Sequence, residues 1–235
     1  MLANYIRDNM DLFKPIIEVL NQDHYTYFGD EQGLLYDEYP LEEYYWKTGR
    51  SKVCIIYAGM VFKTSFSGYA YDYDYEKSDW LDEPIFEKWD KDYCQIEYDI
   101  YIRAVKEGVG IFFAETFKLS PKVYTQEECD EIFEDFLEND DTLPPRSLNG
   151  FSSEDITIYA SDNGILRLKS ALGTTLFRYF LDCYSIHSLQ KLNEFLVKYD
   201  VNDLHEKNLG WFDGKLKFFD FCGFHSSTLE KLKSN

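Results

Sequence analysis

Leu12, Phe13, Ile16, Ile17 and Leu20 recur at three- and four-residue spacing, which predicts an amphipathic helix over roughly residues 8–21. Pro15 either kinks that helix or sits in its first turn. Residues 41–50 are polar-aromatic and end in the turn TGRS. SKVCIIY and GMVFKTSF then form two β-rich runs around Ala58 and Gly59, a strand-turn-strand unit. The acidic stretch 71–92, YDYDYEKSDWLDEPIFEKWDKD, reads as a solvated loop with a little helix. A helix is expected from Asp92 to Glu107, stopped by Gly108 and Gly110. IFFAETF and KVYTQ read as strands. Residues 127–141 hold nine acids and no base, yet Ile132, Phe133, Phe136 and Leu137 predict a helix with one buried face, ended by Pro144 and Pro145. ITIYA and ILRLK flank SDNG and read as a hairpin. A long helical stretch follows from Thr174 to Tyr199, with a break near Ser185. Asp213-Gly214, between LGWF and KLKFF, is a strong hairpin signal.

Composition narrows the class. The chain has 235 residues, of which 45% are hydrophobic and 18% aromatic, enough for a sizeable core and against wholesale disorder. The length suits one domain or two closely packed lobes, and without repeats or a low-complexity linker, tethered independent domains are not expected. Lys plus Arg number 24 against 43 Asp plus Glu, a net charge of -19. Such a surface repels DNA, RNA and anionic lipid unless a metal or a local basic patch intervenes. It could also imitate nucleic acid towards a basic protein surface. Cys54, Cys94, Cys129, Cys183 and Cys222 include no CxxC pair, and the odd count argues against a disulfide framework. Reduced thiols, no leader-like amino terminus and no long apolar run make a cytoplasmic protein the expectation, without membrane or direct nucleic-acid partners. The four histidines are not spaced as a zinc site, and the four tryptophans read as packing residues.

Three residues near the carboxyl end form the candidate chemistry. Asp203 and Asn208 lie in the loop entering the Asp213-Gly214 hairpin, and Asp220 lies where its second strand ends. Folding the hairpin back brings its open ends together, and two carboxylates with a carboxamide oxygen are hard ligands suited to Mg²⁺. Taken alone, such a set in loops is more often turn and capping chemistry. Glu97 sits on the apolar face of its helix with Tyr93, Ile100, Tyr101 and Ala104, so it is expected inside, where a carboxylate demands a partner. Lys63, in VFKTSF between Phe62 and Phe66, is the best candidate. Its alternative is a solvent-facing lysine on an edge strand.

Val201-Asn202-Asp203-Leu204-His205-Glu206-Lys207-Asn208, followed by a hairpin and Asp220-Phe221-Cys222, is similar to a known pattern. It resembles a remote member of the protein-kinase-like fold, closest to the branch with aminoglycoside and choline phosphotransferases. That branch writes its catalytic loop H-G-D-x-H-x-x-N and follows it with a D-x-G or D-F-G triplet. The likeness spans about residues 45–225. It implies an α+β, two-lobed fold: an N-lobe over 1–126 with an antiparallel sheet and one helix, and a shortened, mostly helical C-lobe over 127–235. The implied activity is transfer of a phosphoryl group from ATP, with Mg²⁺, to the hydroxyl of a small molecule or protein. Asp203 would orient or deprotonate that hydroxyl, and Asn208 and Asp220 would hold the metal. Lys63 would hold ATP phosphates and Glu97 would pair with it. Gly49 and Ser51 fall in the phosphate-covering loop. Gln126 and Glu127 fall at the hinge beside adenine, working through backbone groups.

The chain also departs from the pattern. Val201 stands where the family has a buttressing histidine, Gly49 is what remains of a glycine-rich loop, and Gly223 comes one place late. Fifteen residues follow Asp220, too few for an activation segment and helical peptide platform. The second expectation is therefore a catalytically weak or inactive kinase-like binding protein, such as an acidic viral inhibitor of a nucleic-acid enzyme. Size, acidity and richness in Tyr, Phe and Asn are those expected of a phage or mobile-element product, which would place it in a host cytoplasm.

Overall fold

The structure is a computed structural model that describes residues 2–27, 45–48, 51–74, 79–89, 91–131, 146–221 and 226–234. Its elements mix α and β. Contacts divide the chain into one unit of residues 1–98 and 115–128 and a second of residues 99–114 and 129–235, so the chain passes from one to the other three times.

The first unit starts with helices α1 (Leu2–Asp8) and α2 (Met10–Leu20). Pro15 lies in the middle of α2 on its exposed side, while Phe13, Ile16, Val19 and Leu20 are buried. Strands β1 (Tyr25–Tyr27), β2 (Tyr45–Thr48), β3 (Lys52–Tyr57), β4 (Met60–Ser65), β5 (Gly68–Asp74) and β6 (Asp79–Lys88) follow. After helix α3 (Tyr93–Lys106) come β7 (Thr116–Lys118) and β8 (Tyr124–Glu127). A five-stranded sheet has the order β2-β3-β4-β8-β7, antiparallel throughout, and a second sheet has the order β1-β5-β6.

Ala58 and Gly59 connect β3 to β4 with φ of 53° and 73°, the two left-handed residues of a two-residue hairpin turn. That turn sets the register, pairing Ile55 with Phe62 and Cys54 with Lys63. Side chains alternate between faces, so Val53, Ile55, Met60 and Phe62 share one face and join Phe13, Ile16 and Leu20 of α2 in a core. The rings of Phe13 and Phe62 are 4.9 Å apart. Lys52, Cys54, Val61 and Lys63 therefore share the opposite face.

The second unit contains the last turns of α3, a 3-10 turn at Gly110–Phe112 and strand β9 (Asp130–Glu131). Helices α4 (Ser153–Asp162), α5 (Leu166–Cys183) and α6 (Ile186–Tyr199) come next, then hairpin β10 (Leu209–Phe212) and β11 (Lys215–Phe218), and helix α7 (Ser226–Ser234). Asp213 and Gly214, with φ of 49° and 71°, close the hairpin, and β9 adds to its β10 side. Phe113 anchors an aromatic cluster, its ring 5.8, 5.7 and 4.8 Å from those of Phe195, Phe218 and Phe221.

Four expectations are corrected. The stretch 71–92 carries the antiparallel strands β5 and β6, not a loop with a little helix. The alternating Tyr-Asp-Tyr-Asp is a period-two pattern that its charge density had obscured. ITIYA and ILRLK lie in α4 and α5, not in a hairpin. Ser152 and Asp155 form a capping box, and buried Ile156 and Ala160 stand four apart, which outweighs the strand preference of the β-branched run. IFFAETF begins in the 3-10 turn Gly110–Phe112, and only its last two residues enter a strand, Thr116–Lys118. Tyr124–Glu127 and Asp130–Glu131 are strands where the expected 127–141 helix begins, and the remainder of that helix lies outside the described residues. Among the described residues no helix is long and apolar enough to cross a membrane.

Candidate functional site

Glu97, in the first half of α3, is fully buried, and its carboxylate receives two ammonium groups. Lys63 Nζ donates to Oε1 at 2.5 Å and Lys52 Nζ to Oε2 at 2.6 Å, with both lysine side chains at most 4% exposed. Gln126 closes the cluster. Its Oε1 accepts from Lys63 Nζ at 2.8 Å, and its Nε2 donates to Glu97 Oε1 at 3.0 Å and Thr116 Oγ1 at 2.9 Å. Strand register explains the convergence. Lys63 lies opposite Cys54, two residues from Lys52, and Val61 lies opposite Gln126, which itself pairs with Thr116. All of these residues belong to the first unit. Burial by itself would raise the Glu97 pKa, but the two lysines reverse that and hold the carboxyl well below its ordinary range.

The Lys63–Glu97 pair is the one the sequence points to. Lys52, Gln126 and Thr116 were not foreseen as its side-chain partners. Gln126 contributes its side chain to the cluster from an interior strand. Glu127 is buried and engaged locally, its Oε2 accepting the Glu115 N–H at 3.0 Å. The Ser51 carbonyl accepts the Phe66 N–H at 3.0 Å. Gly49 lies outside the described residues.

In the second unit, Asn208 ends a 3-10 turn (Glu206–Asn208) and leads directly into β10. Its Nδ2 donates to the Asp203 carbonyl at 3.0 Å, which ties the loop across five residues. Its own carbonyl accepts the Phe219 N–H at 2.9 Å, extending the β10–β11 ladder to the residue before Asp220. The hairpin thus sets the Asp203–Asn208 loop beside the Asp220 backbone, as its folding-back requires. Asp220 has left-handed backbone, φ 48°, and next to it Phe221 is fully buried. Val201 is also buried. His205 Nε2 stands 3.4 Å from Asp203 Oδ1.

These residues fit a hard cation in donor chemistry. With Nδ2 spent on Asp203, Asn208 keeps Oδ1 as an acceptor, and Asp220 adds a carboxylate. Among the described residues no three His, Cys, Asp or Glu side chains form a metal-holding group. A hard cation here would be held by Asn208 and Asp220.

No family model, no curated protein and no solved structure matches the chain.

Proposed function

We propose that the protein is a compact phosphotransferase of kinase-like fold that moves the γ-phosphoryl group of ATP to a hydroxyl. The observation that carries this reading is the buried ion pair between Lys63 on β4 and Glu97 on α3. A strand lysine held by a helix carboxylate is an arrangement the D-L-H-x-x-N loop and hairpin call for elsewhere in the same chain. In this reading Glu97 and Gln126 orient Lys63, and Lys63 donates to phosphate oxygens. Asp203 orients the attacking hydroxyl and takes its proton. Asn208 and Asp220 hold Mg²⁺, which when bound offsets the charge spreading over the transferring group. The acceptor is a small molecule or a protein hydroxyl.

A second reading draws on the same cluster. Lys63 is almost wholly buried and already bonded to Glu97 and Gln126, as suits a strut that fixes α3 to the sheet. The chain would then be a kinase-like binding protein without transfer, its acidic surface suited to a basic protein partner.

Calorimetry with ATP, with and without Mg²⁺, and a phosphotransfer or ATPase assay separate the two. Metal-dependent nucleotide binding with turnover supports the transferase. Asp203→Asn then abolishes turnover and leaves ATP affinity nearly unchanged, while Asp220→Asn weakens both. Binding without turnover favours the second reading, and no binding removes the nucleotide from both.

A further inference from the structure

The first unit also holds a pocket of about 350 Å³, at the lower end of the range for small-molecule sites. Asp23, Lys88, Trp89, Lys91, Asp92 and Lys122 line it, with Phe66. Both acids are already engaged. Asp23 accepts from Lys122 Nζ at 2.5 Å and Ser67 Oγ at 2.9 Å, hydrogen bonds that hold its carboxyl below the usual range. Asp92 accepts from Ser65 Oγ at 2.7 Å and from the Gln95 N–H at 3.0 Å. Lys88 also acts on Asp23 through its charge, but among the described residues neither it nor Lys91 meets a carboxylate within ion-pair distance. In a chain with 43 acids and 24 bases, two such lysines on one concave surface run against the composition. The rings of Phe66 and Trp89, packed edge to face at 6.3 Å, give the pocket an aromatic wall.

We propose that this pocket binds a small phosphorylated molecule carrying a flat ring, with Lys88 and Lys91 on the phosphate and Trp89 beside the ring. Charge-assisted hydrogen bonds hold the anion, and the ring gains from leaving water. The site does not depend on the phosphotransfer reading.

The test is a nuclear magnetic resonance titration of the full chain with phenyl phosphate. It follows the Trp89 indole N–H, assigned by its loss in Trp89→Phe. The signal shifts and saturates, and added salt weakens the binding. Replacing Lys88 and Lys91 together by Ala lowers affinity about tenfold or more, with thermal unfolding unchanged. Inorganic phosphate and phenol each bind more weakly than phenyl phosphate. A Trp89 signal that does not saturate, or equal affinity in the double variant, overturns the proposal. Inorganic phosphate binding as tightly as phenyl phosphate overturns the role given to the ring.

Discussion

At the scale of residues, Glu97 organises the first unit's interior. A carboxylate taken out of water is costly unless charge and hydrogen bonds compensate it, and here Lys52, Lys63 and Gln126 do so together. Glu97→Gln leaves two buried ammonium groups without their shared counter-charge and should cost about 3–5 kcal/mol. Lys63→Met leaves Lys52 on the carboxylate and should cost less, about 1–3 kcal/mol. Urea unfolding of the two variants measures the order, and a larger loss for Lys63→Met would reverse the roles assigned here. The carboxylate of Glu97 could be placed from sequence because apolar neighbours at helical spacing mark its side of α3. Lys52 was also within reach. Once Ala58-Gly59 is taken as a two-residue turn, Cys54 must face Lys63 and Lys52 must share their face.

At the scale of elements, two places show what a single side chain can decide. Ser152 and Asp155 start α4 by satisfying each other's backbone N–H groups, so Ser152→Ala should destabilise the protein by about 1 kcal/mol. The loss should appear as faster amide exchange in the first turn of α4, and unchanged exchange there would argue against the cap. Gly68 opens β5 against Lys88 of β6, and a Cβ added there would stand 1.8 Å from the Glu87 carbonyl oxygen. Gly68→Ala must therefore push the strands apart. It should cost about 3 kcal/mol or more, with exchange protection lost first along β5 and β6. The same elements show where local reading fails. Ile156-Thr157-Ile158 favours a strand by residue type, whereas the buried Ile156 and Ala160 select a helix through packing.

At the scale of the molecule, charge and burial set the response to pH. The net charge of -19 repels itself diffusely at neutral pH, and this eases as the solution approaches the isoelectric point near 4.5. Glu97 acts in the opposite sense. Its folded-state pKa is depressed, so the unfolded chain binds the proton more readily over the interval below 4.5. Its contribution is full above that value and is lost as pH falls towards the folded pKa. Buried His24, held below its ordinary value chiefly by desolvation, also withdraws stability as pH drops under 6.5. Stability should therefore fall steeply below about pH 4.5, and the fall should be shallower in Glu97→Gln. Denaturant midpoints from pH 7 to 3 for parent and variant check this. Parallel curves would mean that other carboxylates govern the acid limb.

Elements whose information is local were legible in the amino-acid sequence alone. Helical spacing located α2, α3 and α6, and Ala58-Gly59 and Asp213-Gly214 located two hairpins by needing left-handed backbone. An apolar face around Glu97 foretold a buried carboxylate. The loop from Asp203 to Asn208 was legible because its tie spans five residues and its partner strand returns at once. Tertiary structure decided the rest. Gln126 reaches Lys63 only because β8 inserts beside β4, a pairing separated by more than sixty residues and invisible to any local period. Helix α4 likewise depended on what covers Ile156 and Ala160. A periodic pattern records which side of an element is apolar, but neither the neighbour that covers it nor the register at which distant strands meet.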